Sequence, residues 1–207
     1  MQVNPEFIAA AVQFDTATLH EAAGKIGALP WSIKPVAPSF RICGSALPVL
    51  SPGGDNLWLH RAIYAASPGD VLVVSVNDAY SHGYWGEIMS TAAQVRGLAG
   101  LVIDGCVRDS VLLAEMGFPV FSRGLCIRGT GKDFSAHGTI GAPIIIGDVA
   151  IGSGDLVVGD ADGVVVLPSA RVEQILAAAT ERERTEKQIL ERLRRGETTL
   201  EIYGWNR

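Results

Sequence analysis

Three charged residues carry the spacing in this chain best suited to chemistry: Glu87, and the pair Arg108-Asp109, with twenty residues, Ile88 to Val107, between them. Glu87 follows the glycine-flanked run Gly83-Tyr84-Trp85-Gly86, and Arg108-Asp109 closes the run Asp104-Gly105-Cys106-Val107. A guanidinium is a planar fork that matches carboxylates and other oxyanions, and a neighbouring carboxylate is a hard oxygen ligand for a divalent cation. The glycine-flanked start of a helix adds unpaired backbone N–H groups and a positive dipole end, which suit an anion. Together these types point to a small acidic substrate, held by backbone amides and Arg108, beside a metal held by Asp109. The plainer reading is a turn with a surface ion pair. Neither Gly-x-Gly-x-x-Gly nor a phosphate-loop Lys-Ser/Thr is present, which disfavours nucleotide binding of those types.

The surrounding elements must bring these residues together. Ile88–Val95 has the pattern of a helix, Gly97 and Gly100 stop it, and Leu101-Val102-Ile103 is a short buried strand. A turn–helix–turn–strand unit returns its end towards its start, so Glu87 and Arg108-Asp109 face one another across a cleft. Charge at the carboxyl ends of buried strands is where open α/β sheets keep their chemistry. Upstream, Pro5–Val12 is a short helix, and Asp15 or Thr16 caps a second one through Ala23. Ile42–Val49 is strand-like, and Ser51–Asn56 is a loop and cap before the helix Leu57–Tyr64, which buries Leu59, Ala62 and Ile63. Val71–Val76 is continuously apolar, as in a strand covered on both faces. Downstream, Val111–Gly117 is a helix, and Phe118–Phe121, Pro143–Ile146, Leu156–Gly159 and Val164–Pro168 are strands, with Asp160 and Asp162 as turn formers. Ala170–Arg195 is one long charged helix with the apolar stripe Val172, Ile175, Leu176, Ala179, Ile189 and Leu193. So long a helix on so small a domain projects, and its stripe then needs another subunit.

The chain has 207 residues, 48% of them hydrophobic, which fits one domain with a substantial core. Its net charge of −5, with both signs interspersed, argues against a nucleic-acid partner. No apolar run is long enough to span a membrane, and no signal pattern opens the chain. Cys43, Cys106 and Cys126 form neither a zinc pattern nor a disulfide framework, so a reducing cytoplasm is the expected setting, and Cys106 reads as a small buried thiol.

With its surroundings, Gly86-Glu87-Ile88-Met89-Ser90-Thr91-Ala92-Ala93 through Val107-Arg108-Asp109, the Asp/Glu-x20-Arg-Asp spacing closely resembles the RraA-like family. Pro52-Gly53-Gly54-Asp55-Asn56-Leu57, Pro68-Gly69-Asp70 and Gly159-Asp160-Ala161-Asp162-Gly163 look like blocks of the same family. That family holds 4-hydroxy-4-methyl-2-oxoglutarate / 4-carboxy-4-hydroxy-2-oxoadipate aldolases and a protein regulator of ribonuclease E. The resemblance implies an α/β fold: a swivelling β/β/α single domain over residues 1–168, with residues 169–207 as a helical arm belonging to the same domain and to the oligomer interface. It implies a trimer or a dimer of trimers acting on a small-molecule oxo acid. The implied reaction is divalent-metal-dependent cleavage to pyruvate and a second oxo acid, with oxaloacetate decarboxylation at the same site. The implied metal is Mg²⁺ or Mn²⁺, on Asp109 with Glu87 or Asp104 through water. The substrate carboxylate would lie on the amides of Gly86, Glu87, Ile88 and Met89, against Arg108. By the same resemblance His60, Lys132 and Glu21 are site candidates, and Glu186, or Glu183 beside it, reaches a neighbour's cleft. Two positions depart from the family pattern: Glu87 stands where the aldolases carry Asp, and Arg123–Ile127 differs from the expected stretch, which bears on substrate choice. The rival class is a binding protein of the ribonuclease-regulator kind.

Overall fold

The computed structural model describes residues 2–206. Two short helices, α1 (Pro5–Ala11) and α2 (Thr16–Ala22), precede a two-residue strand β1 (Lys34–Pro35). Three strand–helix pairs then alternate: β2 (Ile42–Leu50) and α3 (Leu57–Ala65), β3 (Asp70–Ser75) and α4 (Glu87–Val95), β4 (Gly100–Val107) and α5 (Ser110–Met116), ending in β5 (Val120–Leu125). The chain turns antiparallel through β6 (Thr139–Ile140), the β7–β8 hairpin (Ile144–Ile146, Val149–Ile151), β9 (Leu156–Asp160) and β10 (Gly163–Leu167). It finishes in α6 (Val172–Arg194) and α7 (Thr199–Ile202).

One sheet runs in the order β1-β5-β4-β3-β2-β9-β10, with β6 paired on β2. β2, β3, β4 and β5 are mutually parallel, so the loops that follow all four emerge at the same end of the sheet. The segment before β1 joins the two edges: Ala28 bridges Val165 of β10, the Leu29 N–H donates to the Val164 carbonyl at 2.9 Å, and β1 then pairs with β5. The sheet is thereby drawn into a nearly closed barrel.

Side-chain alternation sorts the core into two clusters. Val157, Val164 and Val166 point into the larger one, with the α3–α5 side chains Leu59, Ile63, Met89 and Leu113. Their neighbours Leu156, Val158, Val165 and Leu167 point the other way, onto α1, α2 and the first half of α6. α6 is held there by Val172, Ile175, Leu176 and Ala179, at i, i+3, i+4 and i+7 on one face. Burial of each of its three larger side chains contributes about 1.5–3 kcal/mol. Beyond Ala179 no residue of α6 is buried, and Leu190 is 47% exposed, so the helix projects. Those last 15 residues reach about 22 Å at 1.5 Å per residue.

The expected elements are present, and the differences have physical causes. The strand expected over Phe118–Phe121 instead begins at Val120 and continues through Arg123-Gly124-Leu125. Arg123 is tolerated in the sheet because Asp104 on β4 accepts from it. α2 is capped neither by Asp15 nor by the Thr16 side chain. The Asp160 carboxylate, from the β9–β10 turn, accepts from the Thr16 N–H at 2.8 Å and the Thr16 hydroxyl at 2.7 Å. No described helix is long and apolar enough to cross a membrane.

Candidate active site

The four loops at the carboxyl ends of the parallel strands surround a cavity of about 310 Å³. The loop and helix after β2 supply Asn56 and His60, and those after β3 supply Gly83 to Gly86, Ile88 and Met89. Arg108 and Asp109 follow β4, and Gly129, Thr130 and Lys132 follow β5. Each element contributes residues to the same space.

Backbone bonds lace these loops together. The Tyr84 N–H donates to the Cys106 carbonyl at 3.0 Å, and the Arg108 N–H donates to the Trp85 carbonyl at 2.9 Å. The Gly83 N–H reaches Arg128 at 2.8 Å, and the Cys126 N–H reaches Val107 at 2.9 Å. On the other side Asp55 acts as a staple. Its Oδ1 accepts from the Leu57 N–H at 2.7 Å and its Oδ2 from the Asp133 N–H at 2.6 Å. Asp55 thus caps α3 and fixes the Lys132 loop with one buried carboxylate.

Asp109 stands at the start of α5 in the left-handed region, φ 61°, a conformation that Asp adopts more readily than most residues. Its Oδ2 accepts from the Glu87 N–H at 3.2 Å and lies 3.8 Å from Arg108 Nε. Gly86 makes this approach possible. A Cβ there would sit 2.2 Å from Asp109 Oδ2, so any larger residue would expel the carboxylate. Among the described residues the N–H groups of Ile88 and Met89 meet no acceptor, as expected in a first helical turn, and both residues line the cavity.

The opposite wall centres on Asn56, 6% exposed. Its Nδ2 donates to the Tyr84 carbonyl at 2.8 Å, and its Oδ1 accepts from Lys132 Nζ at 2.9 Å. His60 stands beside them. Burial, and then the positive charge of Lys132, lower its pKa from the ordinary 6.5, against an opposing pull from Asp55. The imidazole is therefore neutral at physiological pH. Arg108 and Lys132 against the single carboxylate of Asp109 leave the cavity positive, which favours an anionic ligand.

The structure gathers Arg108, Asp109, His60, Lys132, Gly86, Ile88 and Met89 at one cavity. Glu87 contributes its backbone N–H, while its side chain is exposed and does not line the cavity. Asp104 is elsewhere: buried, it accepts from Arg123 Nε at 2.5 Å, and Arg123 also donates to Ser32 Oγ at 2.9 Å and lies over the Tyr80 ring. Glu21 and Glu186 both flank Arg182, at 3.7 Å and 2.9 Å, where α2 packs on α6, and no residue of either helix lines the cavity of the same chain. Glu183, also on α6, is half-buried and likewise away from that cavity. Cys106 is half-buried, and burial pushes its thiol above the ordinary range, against a nucleophilic role. Sequence reasoning passed over the side chain of Asn56, because Gly-Asp-Asn before a helix reads as a cap. Asp55 does that work, which leaves the Asn56 amide free for Lys132.

A mixed α/β sheet drawn into a barrel, with an Arg-Asp pair and a helix start at the carboxyl ends of its parallel strands, defines the class of protein. The chain belongs to the RraA-like family: the Aldolase/RraA family model matches residues 16–166. A protein of Halalkalibacterium halodurans, provisionally named 4-hydroxy-4-methyl-2-oxoglutarate aldolase, is 35% identical over 182 residues, 88% of this chain and 86% of its own. An uncharacterised protein from Pseudomonas syringae pv. tomato superposes with a TM-score of 0.82 at 28% identity over 96% of each chain. An unusual member of the RNase ES inhibitor RraA family from Streptomyces coelicolor shares the fold, with a TM-score of 0.79 at 24% identity over 90% of this chain and 96% of its own.

Proposed function

We propose that this protein is a carbon–carbon lyase that cleaves a 4-hydroxy-2-oxo di- or tricarboxylic acid to pyruvate and a second oxo acid, and that decarboxylates oxaloacetate at the same site. The observation that carries this reading is the convergence of Arg108 and Asp109 after β4, His60 on α3 and Lys132 after β5 on one cavity beside the unpaired N–H groups of α4. A binding surface has no need of such convergence. The name of the Halalkalibacterium halodurans relative supports the same reaction class.

Retro-aldol cleavage sends the C3–C4 bonding electrons onto the 2-oxo oxygen as an enolate, while the C4 hydroxyl gives up its proton and becomes a carbonyl. The Arg108 fork suits the enolate oxygen and the adjacent carboxylate, with the Ile88 and Met89 amides as further donors. Neutral His60 is a proton acceptor in the same cavity, and Lys132 supplies fixed positive charge for the far end of a dianion. Protonation of the enolate at C3 gives pyruvate. A divalent cation fits this arrangement in one way. Among the described residues no three His, Cys, Asp or Glu cluster to hold one, but Asp109 Oδ1 has no protein donor. Mg²⁺ or Mn²⁺ keeps several waters and needs only one or two carboxylates, so Asp109 with water and substrate oxygens would suffice. Bound there, it would supply Lewis-acid stabilisation of the developing negative charge. The test is pyruvate release from a panel of 4-hydroxy-2-oxo acids and oxaloacetate, with Mg²⁺ and with chelator. Release that EDTA abolishes and Mg²⁺ restores is expected. Undiminished release in chelator, with a borohydride-trapped lysine adduct, would transfer the chemistry to Lys132.

The projecting half of α6 supports a site shared between subunits, in a trimer or dimer of trimers, with Glu186 or Glu183 delivered to a neighbour's cavity. Subunits carrying Asp109→Ala, mixed with subunits carrying Glu186→Gln, should regain part of the lost activity. No recovery between subunits that demonstrably exchange would confine α6 to its own chain.

A further inference from the structure

The geometry points to Asn56 as the positioning residue that sets the Lys132 ammonium in the cavity. Its amide is fixed from behind. Nδ2 donates to the Tyr84 carbonyl at 2.8 Å and lies 3.4 Å from Met89 Sδ, which settles the side-chain orientation and turns Oδ1 towards the β5 loop. Lys132 Nζ donates to that Oδ1 at 2.9 Å. An ammonium has three donors. One is spent on Asn56, and the other two remain for oxygens of a bound oxo acid.

Both ends of this contact are anchored on the same turn, residues 54–56. Tyr84 is pinned by its N–H to Cys106 and by its hydroxyl, which accepts from the Gly54 N–H at 2.7 Å and donates to the Ala79 carbonyl at 2.6 Å. The Lys132 loop is pinned by Asp55 through the Asp133 N–H, and the Gly131 N–H donates to the Gly54 carbonyl at 2.7 Å. The long lysine side chain is the one mobile part between two fixed walls, and the Asn56 carbonyl removes that freedom before substrate arrives.

This role deepens the lyase reading above and rests on it for a kinetic measurement alone. In a double-mutant cycle, Asn56→Ala should lower kcat/KM roughly tenfold when Lys132 is present, the scale of coupling between contacting side chains. It should cost less than about twofold in a Lys132→Met background, because its partner is already gone. Equal losses in both backgrounds would overturn the role. The second measurement needs no turnover. Trace acetylation of the whole protein with acetic anhydride, read by peptide mass spectrometry, compares Lys132 with Lys25 and Lys187 as internal references. Asn56→Ala releases the ammonium, so Lys132 should be labelled faster. Asn56→Asp loses the bond to the Tyr84 carbonyl but offers Lys132 a charged acceptor at the same place, and should slow it. A merely structural Asn56 would loosen the loop and speed labelling in both variants, and that result, or no change in either, overturns the proposal. If Asn56→Ala does not fold, the direction of change in Asn56→Asp decides. A protein inactive on every oxo acid would sink the lyase reading and leave the labelling test intact.

Discussion

Two Asp–Arg pairs lie close together in this fold and do opposite things. Asp104 and Arg123 face each other across β4 and β5 at 2.5 Å, with side chains 7% and 23% exposed. Asp109 and Arg108, at the end of the same β4, lie 3.8 Å apart with side chains 37% and 47% exposed. The buried pair is also built into the fold: Arg123 holds Ser32 and covers Tyr80, so it ties the barrel-closing segment to the sheet. The open pair lines the cavity, and among the described residues neither Asp109 Oδ1 nor the Arg108 guanidinium has a hydrogen-bond partner. A closed pair locks structure, whereas an open one keeps hydrogen-bonding capacity for a ligand. The register shift between Ile103 and Cys106, opposite Arg123, marks the boundary between them. Irregularities of this kind re-aim the residues beyond them.

The largest effect expected from this contrast is on stability. Asp104→Ala leaves the Arg123 guanidinium in a largely buried setting without its carboxylate, which costs about 3–5 kcal/mol. Denaturant unfolding measures it, and the folded fraction should retain kcat/KM within a few-fold. A loss under about 1 kcal/mol would mean that the pair behaves as a surface bridge, and the comparison would fail.

Next in size is Arg108→Lys, which keeps the charge and loses the fork. A fall in kcat/KM of roughly 10²-fold or more is expected, the scale for removing one oxyanion donor, with the unfolding midpoint unchanged. An enzyme of near-normal activity but lowered midpoint would make the Arg108 pair structural as well and erase the distinction.

The sequence made the strand–helix alternation legible, because Val71–Val76 and Leu101–Ile103 are continuously apolar and glycines mark the helix ends. It also placed Arg108, Asp109 and the α4 start together, since a turn–helix–turn–strand unit can close in few ways. It could not take Asp104 out of the site, where it stood with Glu87 as a contact through water to a metal on Asp109. Asp104 and Asp109 are both carboxylates near the end of one strand, and only the register of β5 reveals that Arg123 reaches the first. Short elements such as β1 and β6 exist through their partners, Ser122 and Val49 among them, and carry no local pattern of their own. The cap on α2 was illegible for the same reason: Asp160 is 144 residues from Thr16. The functional side chain of Asn56 was hidden by the motif that contains it.

The smallest effect distinguishes the two settings by how far a charge is felt. His60 is held below its ordinary value first by burial and then by Lys132, on the same wall of the cavity. A lowered histidine pKa keeps the imidazole neutral as pH falls, so the acid limb of kcat/KM should lie below the ordinary histidine range. Between the folded and unfolded values the unfolded chain binds more protons, so His60 also makes the fold less stable as pH drops through that window. Lys132→Met removes the second cause and leaves burial. The normalised acid limb should therefore move towards higher pH, whatever the change in plateau rate. Arg123→Lys should leave the limb where it is, because no shift of His60 is traced to that buried charge. The measurement is a pH profile of pyruvate release for the three proteins, with histidine NMR titration as a check that needs no activity. A limb unmoved by Lys132→Met would mean that burial alone keeps His60 neutral. A limb moved equally by Arg123→Lys would mean that the closed pair is felt in the cavity, so that burial does not divide the two pairs as cleanly as their distances imply.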